Sequence, residues 1–176
     1  RDNDGITIQQ MTDDCVKLME HLNLSSVYVL GHSMGGMIAM DLSIRYPELI
    51  DKLILEAITP KLNNRNKELF ADWVSYLKSG MDKSLWYRNM FYWIFSPKFF
   101  EDTVILDQAV KMSINYPYPQ SDKSFENQVN AASVFNCVSE IYKIQSPTLI
   151  MNGEQDLLFS SSDASELFKD IDHLQY

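Results

Sequence analysis

Residues 27–36 read VYVLGHSMGG. Val27, Tyr28, Val29 and Leu30 form a short apolar run, which predicts a strand covered on both faces. Gly31 and Gly35 then bracket Ser33, and a helical run continues to Tyr46, where Pro47 stops it. A strand, G-x-S-x-G and a helix in direct succession predict a sharp turn that lifts one serine out of the backbone. Its central residue is expected in a strained conformation, with the small residues 31 and 35 letting neighbouring backbone pass closely.

Outward from this stretch, Thr7–Leu22 predicts a helix, because Ile8, Met11, Cys15, Leu18, Met19 and Leu22 recur every three or four residues. Thr7 with Gln10 reads as a capping box, and Asn23 suits a left-handed stop. Lys52–Ala57 and Pro147–Asn152 predict two more strands, and Ser162–Ile171 a last helix. Strands alternating with helices imply a parallel α/β sheet with right-handed crossovers. Residues 61–138 break that rhythm. They contain no convincing strand and read as three or four helices punctuated by Gly80, Pro97, Pro117 and Pro119. Eleven aromatic residues fall between Phe70 and Phe100, so this insertion is expected to form a helical lid with its own core. The organisation is thus a first core part over 1–60, the lid over 61–138 and a second core part over 139–176. The apolar run within Trp86–Phe100 is interrupted by Arg88, Asn89 and Lys98 and falls far short of the ~20 residues a membrane span needs. It reads as lid core, with an interfacial helix as the alternative.

The length of 176 residues suits one domain, and 45% hydrophobic with 22% charged residues is a globular balance. A net charge of −9 argues against nucleic acid and anionic lipid as partners. Cys15 and Cys137 form no CxxC, and three scattered histidines give no zinc spacing, so no metal is expected. Two lone thiols and no signal peptide suit a reducing, cytoplasmic setting. Nothing in the sequence sets an oligomeric state.

The chemistry starts at Ser33. Its hydroxyl should stand at the carboxyl edge of the sheet, above a helix start whose first N–H, that of Met34, could serve as an oxyanion donor. Residues 24–60 and SPTLIMNGEQD, residues 146–156, closely resemble the α/β-hydrolase superfamily. The likeness is greatest to the small capped branch of enol-lactonases, carboxylesterases and cofactor-free haloperoxidases. Serine at 33 argues against the dehalogenase and epoxide-hydrolase branches. The resemblance implies a partial α/β-hydrolase fold, with parallel strands five to seven, flanking helices and a helical lid. It implies acyl transfer to water from a small apolar ester or lactone through an acyl-enzyme, with no metal or organic cofactor.

In the family's G-x-x-D pattern Asp156 is the acid; capping a turn is its plain alternative. Glu56, at the end of the second strand, is a rival acid, or else a buried charge paired with a lid residue. Trp73, Trp86, Phe91, Trp93 and Phe95 are candidate pocket walls, most of them expected to prove lid core. Of the histidines, His21 reads as surface, and His32 packs beside the turn with at most a supporting role. His173 follows a helix that returns the chain to the opposite edge, so it is rejected as the base. The base and the second oxyanion donor are therefore expected outside residues 1–176, making this an interior, inactive and aggregation-prone piece with uncovered strand faces. An acyltransferase, a carbon–carbon bond hydrolase, a perhydrolase and a non-catalytic ligand binder stay open.

Overall fold

The computed structural model describes residues 5–171 together with 174 and 175. Four strands form one parallel sheet in the order β1 (Val27–His32), β2 (Ile50–Glu56), β3 (Thr148–Met151) and β4 (Leu174–Gln175). β4 has only two residues, too few for any periodicity to announce it. The helices are α1 (Ile8–His21), α2 (Met34–Arg45), α3 (Asn64–Lys78), α4 (Lys83–Ile94), α5 (Thr103–Ile114), α6 (Asp122–Val134) and α7 (Ser161–Phe168).

Local chemistry fixes the first helix. The Gln10 N–H donates to Thr7 Oγ1 at 3.1 Å, and the Thr7 N–H donates to Gln10 Oε1 at 2.9 Å, closing the capping box. Asn23 takes φ 55°, as the stop requires. α1 packs on α2, and α2 packs on β1 and β2. Thr12, fully buried between the two helices, donates to the carbonyls of Ile8 at 3.1 Å and Ile38 at 3.5 Å.

The core gathers one face of the sheet. Leu53, Leu55 and Ile150 meet Met37, Met40 and Leu42 of α2 and Phe168 of α7 in a single buried cluster. Side chains alternate across a strand, so Tyr28 and Leu30 point the other way, 72% and 61% exposed. With Lys52, Ile54 and Leu149 they border an open groove. β1 is thus covered on one face only, not on both as its apolar run suggests; among the described residues its outer apolar row faces solvent, in keeping with the uncovered strand faces expected of this piece.

The helical excursion leaves and rejoins the sheet layer at one point. Lys61 and Asn136 form an antiparallel bridge, and the Cys137 N–H donates to Pro60 O at 3.1 Å. α3 to α6 build their own cores, one around Trp73, Leu77 and Trp86 and one around Phe91, Leu106 and Val110. Trp86 joins these helices. Its Nε1–H donates to Trp73 O at 2.9 Å, and its ring meets Phe125 edge-on at 5.2 Å. No helix among the described residues is long and apolar enough to cross a membrane.

Candidate active site

The strand register sets the site. His32 pairs with Glu56, and Glu56 with Met151, so β1, β2 and β3 end side by side at one edge. The residues that follow, Ser33, Ala57 and Asn152, stand in a row there. The Ser33 N–H still donates to Glu56 O at 3.0 Å, and the Ala57 N–H to Met151 O at 2.9 Å. The ladder therefore holds both turns. Ser33 has φ 52° and ψ −126°, and Ala57 has φ 48°. Each is costly for a residue with a side chain, about 1–3 kcal/mol. Two neighbouring positions at one edge are thus held against their preference.

Ser33 is also the cap position of α2, yet its hydroxyl makes no capping bond and has no partner among the described residues. Met34 is the first helical residue, and its N–H belongs to the first turn that no helical carbonyl can satisfy. The glycines do different work from that expected. A Cβ on Gly31 would come within 2.7 Å of Ala39 Cβ and the Gly35 carbonyl oxygen, and one on Gly36 within 3.0 Å of Ile58. Gly35 has nothing within 4 Å, so the close approach is at 31 and 36 rather than at 31 and 35.

Asp156 lies in the turn after β3 and caps it. Its Oδ1 accepts from the N–H groups of Leu158 and Phe159, both at 2.8 Å. Both bonds fall on one oxygen, which leaves Oδ2 open among the described residues. The turn is pinned from outside. Asn66, only 1% exposed at the start of α3, donates to Leu158 O at 2.6 Å. Arg65 donates to Leu157 O, and Asn152 Nδ2 donates to Phe159 O at 3.1 Å. The helical excursion thus grips the loop that carries Asp156.

Glu56 is neither buried nor paired with the excursion, contrary to the expectation. Its Oε2 lies 3.3 Å from His32 Nδ1, with the side chains 45% and 63% exposed. Each residue ends its strand in register with the other, which makes this contact. Exposure on that scale leaves the pair weak. His21 ends α1 in an exposed position, and His173 lies outside the described residues.

A cavity of about 540 Å³ opens over the sheet edge, bordered by His32, Ser33, Met34 and Asp156 below and by the helical excursion above. Of the five aromatic residues singled out in the sequence, Trp73 and Phe95 border it. Trp86 and Phe91 are buried in the excursion's own cores, and Trp93 packs under the Arg65 guanidinium. Phe70, Met90, Ile94 and Phe125 line the cavity and were not anticipated. The signal was helical spacing. Phe70 precedes Trp73 by one turn of α3, and Met90 precedes Ile94 by one turn of α4. Among the described residues no three histidine, cysteine, aspartate or glutamate side chains gather in a geometry that could hold a metal ion.

A model of the alpha/beta hydrolase fold family matches residues 3–175. The chain is similar to the sn-1-specific diacylglycerol lipase ABHD11 of Danio rerio, at 23% identity over 92% of this chain and 52% of that protein. Among solved structures it resembles MGS-M2, an alpha/beta hydrolase from a Medee basin deep-sea metagenome library. That match has a TM-score of 0.84 and 21% identity, over 98% of this chain and 63% of the other. It also resembles the enol-lactonase of Burkholderia xenovorans LB400, with a TM-score of 0.82 and 20% identity, over 97% of this chain and 64% of the other. Where the match runs over most of this chain, it spans from 52% to 61% of the curated relative's length.

Proposed function

The chain belongs to the alpha/beta hydrolase fold family, and we propose on that basis that it is a serine hydrolase of small apolar carboxylic esters or lactones. One observation carries the reading: a strained Ser33 at a helix start opens, with Asp156, into one mostly apolar cavity. Strain at such a position aims the hydroxyl outward and stays in place only because the β1–β2 ladder and α2 hold it.

In this reading Ser33 Oγ attacks the carbonyl carbon, its proton passes to a histidine, and the alcohol leaves to give an acyl-enzyme that water then hydrolyses. The Met34 N–H meets the developing oxyanion at the amino end of α2, where the helix field favours negative charge. Asp156 has Oδ2 open to receive the histidine N–H, while Oδ1 stays locked to its own turn. Neither His21 nor His32 is the base: one ends α1, and the other makes no hydrogen bond to the Ser33 hydroxyl, which has no partner among the described residues. The helical excursion is the cap that walls the pocket, and the two unpaired cysteines suit a cytoplasmic home.

The test is labelling of the full-length protein with a fluorophosphonate, followed by peptide mass analysis. The adduct is expected on Ser33 and absent in Ser33→Ala. Hydrolysis of p-nitrophenyl butyrate is expected to fall by about 10³-fold or more in that variant. Asp156→Asn should approach that loss while Glu56→Gln stays near the parent; the reverse order would make Glu56 the acid. Intact protein that neither labels nor hydrolyses any ester sinks the reading.

A further inference from the structure

We infer that Gln128 determines specificity, and that the substrate is an ester or lactone whose apolar body carries a neutral hydrogen-bonding group away from the scissile bond. This deepens the serine hydrolase reading and rests on it. Among the described residues four polar ones border the cavity: His32, Ser33, Asp156 and Gln128. The first three belong to the sheet edge. Gln128 alone comes from the opposite wall, on α6, between the apolar lining residues Phe125 and Val129.

Its side chain is partly buried, and its amide has no hydrogen-bond partner among the described residues. The amide offers two donors and an acceptor. In the open cavity water can satisfy such an amide, and a ligand that displaces that water without replacing its hydrogen bonds loses affinity, whereas one that replaces them does not. Pockets of this kind orient ligands through a few such groups.

The surroundings choose the chemistry of that ligand group. Among the described residues no lysine or arginine borders the cavity, and His32 lies at the sheet edge away from Gln128, so a carboxylate or phosphate at Gln128 would find no permanent countercharge. Among the described residues one acidic side chain borders it, Asp156, at the far side, with Oδ1 locked in its turn and Oδ2 assigned above to the histidine. A carbonyl or hydroxyl fits Gln128, accepting from the amide N–H or donating to its oxygen.

The experiment uses the full-length protein and two ladders of chain length. One consists of p-nitrophenyl esters of oxoalkanoic acids, the other of butyrate esters of oxoalcohols. Each oxo compound is paired with its counterpart bearing CH₂ in place of the ketone. At one length the oxo compound is expected to be preferred about tenfold in kcat/KM. Gln128→Leu and Gln128→Met should each bring that ratio close to one. Methionine has nearly the shape of glutamine, and a melting curve for each variant identifies any that is unfolded. Turnover with no oxo preference at any length, or a preference that survives both substitutions, overturns the assignment of Gln128 alone. No turnover of any ester and no fluorophosphonate adduct on Ser33 takes down both readings.

Discussion

A single methyl group distinguishes the glycines around Ser33. On Gly31 it would strike Ala39 Cβ, the Gly35 carbonyl and Gly36 Cα, all at 2.7 Å. Gly31→Ala should cost about 1–3 kcal/mol or more, because backbone must move to admit it. Gly35 sits in α2 with open space around it, so Gly35→Ala should be neutral or stabilising by up to about 1 kcal/mol. Urea denaturation of the two variants reads the opposite signs directly. Cys137 gives a second residue-scale test. Burial, then the charges of Asp41 and Glu140, push its thiol up to about 12. At pH 8 the thiolate fraction is then on the order of 10⁻⁴, so a disulfide reagent should leave Cys137 untouched until urea exposes it. Because the folded value lies above the unfolded one, the thiol's contribution to stability is present below about pH 9 and is lost as the pH rises toward 12. Prompt modification of Cys137 in the native protein would contradict its burial.

The elements differ in how they are held. α1 depends on its cap, and Thr7→Ala should remove about 1 kcal/mol of stability in a denaturant titration. The loop carrying Asp156 depends on another part of the chain. Asn66→Leu would leave the Leu158 carbonyl without its donor inside the protein, at about 1–3 kcal/mol. In the serine hydrolase reading the same change should lower kcat more than it raises KM, since it loosens the acid rather than the pocket. Steady-state kinetics beside a melting curve separate the two effects. The first cap was legible from Thr7 and Gln10, which are three residues apart. The Asn66–Leu158 bond joins residues 92 apart, and no local pattern encodes it.

Across the whole molecule, the helices that reach the core pack on one face of the sheet, while Tyr28 and Leu30 remain on the other. The 176-residue chain should therefore bind a hydrophobic dye and self-associate. Tyr28→Ser with Leu30→Ser should reduce both, read by dye fluorescence and light scattering. This exposed row shows where local reading stops. An unbroken apolar run in VYVL identifies a strand, because backbone propensity and hydrophobicity act within a few residues. It does not state which neighbour covers each face. The sequence by itself determined the turn at Ser33, the capping of α1, the alternation of strand and helix and the helical character of residues 61–138, all consequences of short-range sterics and periodicity. Tertiary structure alone decided that His32 meets Glu56, that Asp156 is locked from one side, and that Phe70, Met90 and Gln128 share a cavity with Ser33. Those arrangements follow from strand register and helix packing, which bring together side chains that the chain order keeps far apart.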